Sequence, residues 1–212
     1  MSAPSFAFPQ PLAEKYRPRT IADFVGLDRP KRIMANFVCS PRSAAFLFTG
    51  PSGTGKTTMA LALCDAIAGE LIHIPSQHCT VAELEESLRM TQYVPMAGKR
   101  FWFVLVDEAD QMTDKAQLAL LSKLDSTGRT DGCVFVFTCN STDRLEARFL
   151  SRCLQIEFSS YGMAGDIADY LERVWNAEGG NGSGPDFARL AKECRNNVRD
   201  CLGRLEVELM AL

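Results

Sequence analysis

The chain has 212 residues, with 23 Lys+Arg against 26 Asp+Glu, a formal net charge of −3 and a hydrophobic share of 46%. That is the make-up of a soluble globular protein with room for one sizeable domain, or one domain with a small appendage. It excludes a bulk polycation, so any nucleic-acid contact must come from a local basic patch, and no apolar run approaches the ~20 residues of a membrane span.

The N-terminus, MSAPSFAFPQP, has no basic start followed by an apolar stretch and does not read as a secretory signal. After this Pro-rich entry (Pro4, Pro9, Pro11, Pro18) a helical pattern runs from about Leu27 to Cys39. Ala44–Thr49 reads as a buried strand, followed by the glycine loop Gly50–Gly55 and a helix from Lys56 to Ala68. Glu70–Ile74 is a second strand, and Val81–Thr91 a helix. Phe101–Val106 is a third strand, and Asp114–Leu124 the helix after it. Cys133–Thr138 and Leu154–Phe158 complete five strands. Continuous apolar strands separated by amphipathic helices predict an α/β domain, a parallel five-stranded sheet with helices on both faces. It ends near residue 160.

From Tyr161 on, the β signal disappears. Tyr161–Ala177, Pro185–Cys194 and Asn197–Leu212 read as three helices, with the breaker-rich turn EGGNGSG (178–184) between the first two. Asn196 or Asn197 is placed to cap the last helix. The expected division is therefore 1–160 for the α/β domain and 161–212 for a small helical domain.

Of the eight cysteines (39, 64, 79, 133, 139, 153, 194 and 201), none stands in a C-x-x-C pair, and most lie in apolar stretches where a thiol packs as a small hydrophobe. Neither a disulfide framework nor a zinc site is indicated, and the reducing cytosol is the expected compartment. His73 reads as a strand residue and His78 as a loop residue.

Two motifs carry chemistry. GPSGTGKT, Gly50 to Thr57, fits G-x-x-x-x-G-K-[ST] and lies between a predicted strand and a predicted helix. Gly53 and Gly55 let backbone N–H groups curl around phosphate oxygens, and the helix N-terminus adds positive potential. Lys56 would reach the β- and γ-phosphates and the Thr57 hydroxyl would ligate Mg²⁺, with Pro51, Ser52, Thr54 and Thr58 completing the cradle. In VLVDEAD, Asp107 and Glu108 stand at the C-terminal end of an apolar strand, where open α/β sheets bind ligands. Asp107 would hold Mg²⁺ and Glu108 would orient and deprotonate the attacking water.

EKYRPRTIADFVG (14–26), the phosphate loop, VDEADQMT (106–113) and LSRC (150–153) occur in that order. With these four segments the chain resembles the AAA+ ATPases of sliding-clamp loaders, of the replication factor C small-subunit and tailed-phage large-subunit type. The resemblance runs from about Leu12 to Leu212. It implies a P-loop AAA+ domain with a helical lid. It further implies that Lys15, Tyr16, Arg17, Pro18, Phe24 and Val25 line the adenine pocket. Asn140 matches sensor 1, Arg152 an arginine finger donated to the neighbouring subunit, and Arg199 sensor 2. The implied partners are other loader subunits in a ring, a sliding clamp and primer–template DNA; the implied cofactor is Mg²⁺ with ATP as substrate.

The chain departs from the family pattern in several places. The helical collar domain that normally follows lies outside this sequence. Segment 76–89, usually basic or polar toward DNA, carries Glu83, Glu85 and Glu86 with Arg89 alone basic, and Ser122–Lys123 replace the usual paired arginines. Lys99, Arg100, Lys115 and Lys123 are the basic candidates for DNA contact, with a solvated helical face as the alternative. The zinc-binding cysteines of the bacterial loader are absent. Two other readings stay open at this point: another AAA+ nucleoprotein remodeller or helicase-type motor, and a scaffold subunit that binds ATP only structurally.

Overall fold

The strands are β1 (Ala44–Thr49), β2 (Gly69–Ile74), β3 (Phe101–Val106), β4 (Cys133–Cys139) and β5 (Leu154–Glu157), all parallel, in the order β2-β3-β4-β1-β5. The computed structural model describes residues 10–75, 80–96, 98–125, 132–180 and 184–211. The order explains the composition of each strand. The three central strands are buried almost throughout, whereas β2 alternates and β5 is mostly exposed, because each has a neighbour on one side only. Glu70 and His73 on β2 and Gln155 and Glu157 on β5 are tolerated for that reason.

Chain contacts divide the molecule into two units, Pro18–Ser159 and a second made of the segment up to Arg17 together with the residues from Ser160 on. In the first unit the helices are α2 (Asp28–Cys39), α3 (Lys56–Ala66), α4 (Val81–Met90), α5 (Asp114–Leu124) and the single turn α6 (Ala147–Leu150). The chain crosses from β1 to the far edge at β2, then returns through β3 and β4. Right-handed crossovers therefore put α3 on one face and α4 to α6 on the other. Side chains divide accordingly. Leu47, Val104, Val106, Phe135 and Phe137 pack with Leu84, Leu88, Leu120 and Phe149, while Phe46 meets Phe37 of α2 edge-on at 4.9 Å. Phe149 is fully buried and meets Phe137 edge-on at 4.9 Å, which pins α6 to the sheet.

In the second unit α1 (Leu12–Lys15) lies with α7 (Ala164–Ala177), α8 (Phe187–Glu193) and α9 (Val198–Met210). The sequence places residues 10–17 with the first domain, as part of a Pro-rich entry. Instead they form one helical turn tied to the C-terminal helices by three side chains. The Leu12 amide donates to Glu206 (3.3 Å), Lys15 Nζ lies 2.7 Å from Glu178, and the Tyr170 hydroxyl donates to the Tyr16 carbonyl at 3.1 Å. The Tyr16 hydroxyl also donates to Glu178.

Element ends follow local chemistry. The helix expected from Tyr161 begins at Ala164, because Gly162 adopts a left-handed φ of 77°. The helix expected to reach Ala68 ends at Ala66, and Ala68 turns with φ 53° into β2. Asp186 caps α8 through the Arg189 amide and Asn197 caps α9 through the Asp200 amide. Gly180 is required beside Trp175: a Cβ there would lie 2.3 Å from the indole. His78 and Cys79 lie outside the described residues. No helix among the described residues is long and apolar enough to cross a membrane.

Candidate nucleotide site

Strand register builds the site. Thr49 pairs with Cys139 and Val106 with Phe137, so Gly50, Asn140 and Asp107 emerge side by side at the C-terminal ends of β1, β4 and β3. Gly50 (φ 144°) leaves β1 under the Phe158 carbonyl, where a Cβ would come within 2.2 Å of the oxygen. No other residue fits there. Gly55 (φ 89°) starts α3 against the Phe24 ring, 2.9 Å from where its Cβ would be, and no side chain caps that helix end. The first-turn N–H groups of α3 are thus left for an anion.

Lys56 is buried, at 8% exposure, and a buried ammonium needs acceptors. Its Nζ donates to the Gly50 carbonyl (2.7 Å), the Pro51 carbonyl (2.9 Å) and Asn140 Oδ1 (3.0 Å). The loop is therefore closed around its own lysine, with the Asn140 side chain already at the same point. Thr54 Oγ1 donates to the Pro51 carbonyl and stiffens the turn.

Thr57 Oγ1 donates to Asp107 Oδ1 at 2.7 Å. Thr138 on β4 donates to that same oxygen at 2.5 Å and accepts from the Glu108 amide at 3.1 Å. Glu108 itself is left-handed (φ 53°, ψ 51°), a conformation that costs a β-carbon residue about 1–2 kcal/mol. Its side chain is exposed at the strand end. A hydroxyl and a carboxylate held in contact are hard oxygen donors that fit Mg²⁺, which takes one or two protein ligands and keeps the rest for water and phosphate.

Arg152 follows α6. Its Nε donates to Asp125 Oδ1 at 2.6 Å, Nη2 to Asp125 Oδ2 at 3.3 Å, and Nη1 to the Arg148 carbonyl at 2.8 Å. The bond to Asp125 raises the Arg152 pKa above its ordinary value, so the group is a permanent cation. Buried Gln117 on α5 donates to the Arg144 carbonyl at 3.0 Å and accepts from the Glu146 amide at 2.8 Å, which anchors the loop between Asn140 and Arg152.

Gly50–Thr58, Phe24, Val25, Asp107, Glu108, Asn140 and Arg152 thus belong to one unit, together with Pro18. Lys15, Tyr16, Arg17 and Arg199 belong to the other, where Arg199 is exposed on the first turn of α9. Thr138, Gln117 and Asp125 were missed in the sequence. Thr138 carried a faint signal, standing two residues before Asn140 in TCNST; the other two carried none. Burial pushes the Cys64 and Cys139 thiols each up to about 11, which suits hydrophobic packing rather than reaction.

A family model for the ATPase family associated with various cellular activities (AAA) matches residues 46–161. The replication factor C small subunit of Methanocella arvoryzae is 28% identical over 91% of this chain and 61% of its own length. The replication factor C small subunit 1 of Pyrobaculum islandicum is 33% identical over 69% of this chain and 46% of its own. Replication factor C subunit 4 of Arabidopsis thaliana is 26% identical over 96% and 64% respectively. The chain thus spans less than two thirds of the length of these relatives. A solved variant of RuvB from Thermotoga maritima shares the fold, with a TM-score of 0.74 at 15% identity over 92% of this chain and 72% of that one.

Proposed function

This chain belongs to the AAA family of ATPases, and from that premise we propose that it binds and hydrolyses ATP as one subunit of a ring that opens a sliding clamp and loads it onto primer–template DNA. The observation that carries the ATPase reading is the single cluster in which Lys56 meets Asn140 while Thr57 meets Asp107. The replication factor C relatives support the loader reading.

In this reading the triphosphate lies along Gly50–Thr58, and Lys56 exchanges its loop carbonyls for phosphate oxygens. Asn140, released from the ammonium, is positioned to orient the attacking water, and Glu108 takes its proton. Thr57 and Asp107 would hold Mg²⁺, which supplies charge neutralisation at the β- and γ-phosphates when bound. Pro18, Phe24 and Val25 line the adenine. Arg152 reaches the neighbouring subunit's site; a trans arginine is worth ~10³–10⁵ in rate. Lys99, Arg100, Lys115 and Lys123 are the proposed DNA contacts. The site of action is the cytosol, or the nucleus in a eukaryote.

The test is ATP turnover with primed DNA alone and with primed DNA plus a sliding clamp. A loader is stimulated further by the clamp. Equal rates with and without clamp, at saturating DNA, replace loading with another nucleoprotein-remodelling role.

A further inference from the structure

Asp125 closes α5 as its C-terminal cap, and its carboxylate takes the Arg152 guanidinium side-on, Nε to Oδ1 at 2.6 Å and Nη2 to Oδ2 at 3.3 Å. A guanidinium carries five N–H groups in a rigid planar fork. Asp125 uses the edge formed by Nε and Nη2, and the Arg148 carbonyl takes one hydrogen of Nη1 at 2.8 Å. One hydrogen on each terminal nitrogen is left without a partner among the described residues. The pair is also open to a second molecule: the Arg152 side chain is 30% exposed and that of Asp125 44%.

We infer that Asp125 is a positioning residue for Arg152, holding the guanidinium side-on so that its terminal N–H groups are already set when the neighbouring subunit's γ-phosphate arrives. The inference rests on the trans role of Arg152 proposed above. An exposed arginine has several rotatable bonds, and a finger ordered only on contact loses that freedom as the reaction proceeds. Two anchors on separate elements, α5 and α6, settle that ordering before nucleotide is cleaved. A latch that withheld the finger would cover its terminal edge. Side-on pairing instead occupies the edge nearer the chain and leaves terminal donors for phosphate, the oxygen geometry that arginine matches best. The negative charge of Asp125 offsets part of the finger's field, so the geometry and the charge oppose each other and the experiment separates them.

The experiment is steady-state ATP turnover of the full chain over an ATP series at several protein concentrations. Wild type is compared with Asp125→Asn, Asp125→Glu, Arg152→Ala and the double variant Asp125→Asn/Arg152→Ala, with melting curves to check folding. Asp125→Asn should lower kcat about tenfold or more at unchanged KM for ATP, Asp125→Glu should recover most of it, and Asp125→Asn should cost nothing further when Arg152 is already alanine. Wild-type kcat in Asp125→Asn, with Arg152→Ala inactive, overturns the positioning role and leaves the finger intact. A raised kcat makes Asp125 a latch, and an equal drop in both backgrounds makes it independent of Arg152; each overturns the inference. Full activity in Arg152→Ala removes the finger itself, and this inference with it. If Asp125→Asn melts at a lower temperature than wild type, Asp125→Ser serves as the second uncharged variant under the same criteria.

Discussion

One hydroxyl organises both carboxylates of the site. Thr138 Oγ1 donates to Asp107 and accepts from the amide of Glu108, whose left-handed backbone is held in place by that bond. Replacing Thr138 by the near-isosteric valine keeps the packing of β4 and removes both hydrogen bonds. A buried bond lost in this way is worth roughly 1–3 kcal/mol, so Thr138→Val should lower kcat by about tenfold while the fold is retained, as measured by ATP turnover beside a melting curve. Glu108→Gln makes the complementary point: it should bind ATP with unchanged affinity and lose turnover, and undiminished hydrolysis would remove the base assignment. Lys56, Thr57, Asp107 and Glu108 could be singled out in the sequence because each lies in a short contiguous motif. Thr138 and Asp125 could not. Thr138 reaches Asp107 across 31 positions through the β3–β4 register, and Asp125 meets Arg152 across 27.

Among the elements, the single turn α6 has little backbone support and depends on one buried side chain. It is four residues long, with no side-chain cap, and Phe149 is its buried residue. Phe149→Ala should cost ~3–5 kcal/mol in stability, read by denaturant unfolding, and should reduce Arg152-dependent turnover as well. The central strands β1 and β3 begin and end where their apolar runs do, because both faces are covered. The edge strand β2 instead alternates, and its start is set by Gly69, tight against Cys64 and Phe103. The turn α1 had no readable signature among prolines 9, 11 and 18; distant residues, Glu178 and Glu206, hold it.

That anchoring makes a pH prediction. Hydrogen bonds first from Lys15 and then from Tyr16 hold the Glu178 carboxyl below its ordinary value of 4.5, while burial first, then the bond to Glu178, pushes the Tyr16 hydroxyl up to about 12. Because the folded value of Glu178 lies below the unfolded one, its share of stability is complete above about pH 4.5 and disappears as pH falls through the folded value. Between pH 6 and pH 3 the melting temperature should therefore fall less in Glu178→Gln than in wild type. Parallel curves would show that the contact contributes nothing.

At the scale of the whole molecule, the two-part organisation was legible from the change in composition near residue 160, but the membership of residues 10–17 was not, since it depends on long-range contacts. The larger claim concerns more than one copy. Each nucleotide site is proposed to be built by one subunit and completed by Arg152 of the next, a head-to-tail interface that repeats around a ring. Two variants isolate its halves. Lys56→Ala lacks a working loop and keeps its finger; Arg152→Ala keeps its loop and lacks the finger. The most direct measurement is ATP turnover of each variant alone and of the two mixed in equal amounts under assembling conditions. Both should be inactive alone, and mixing should restore turnover at roughly one interface in four by random pairing. A mixture as inactive as its components, from variants shown to co-assemble, would contradict the shared site.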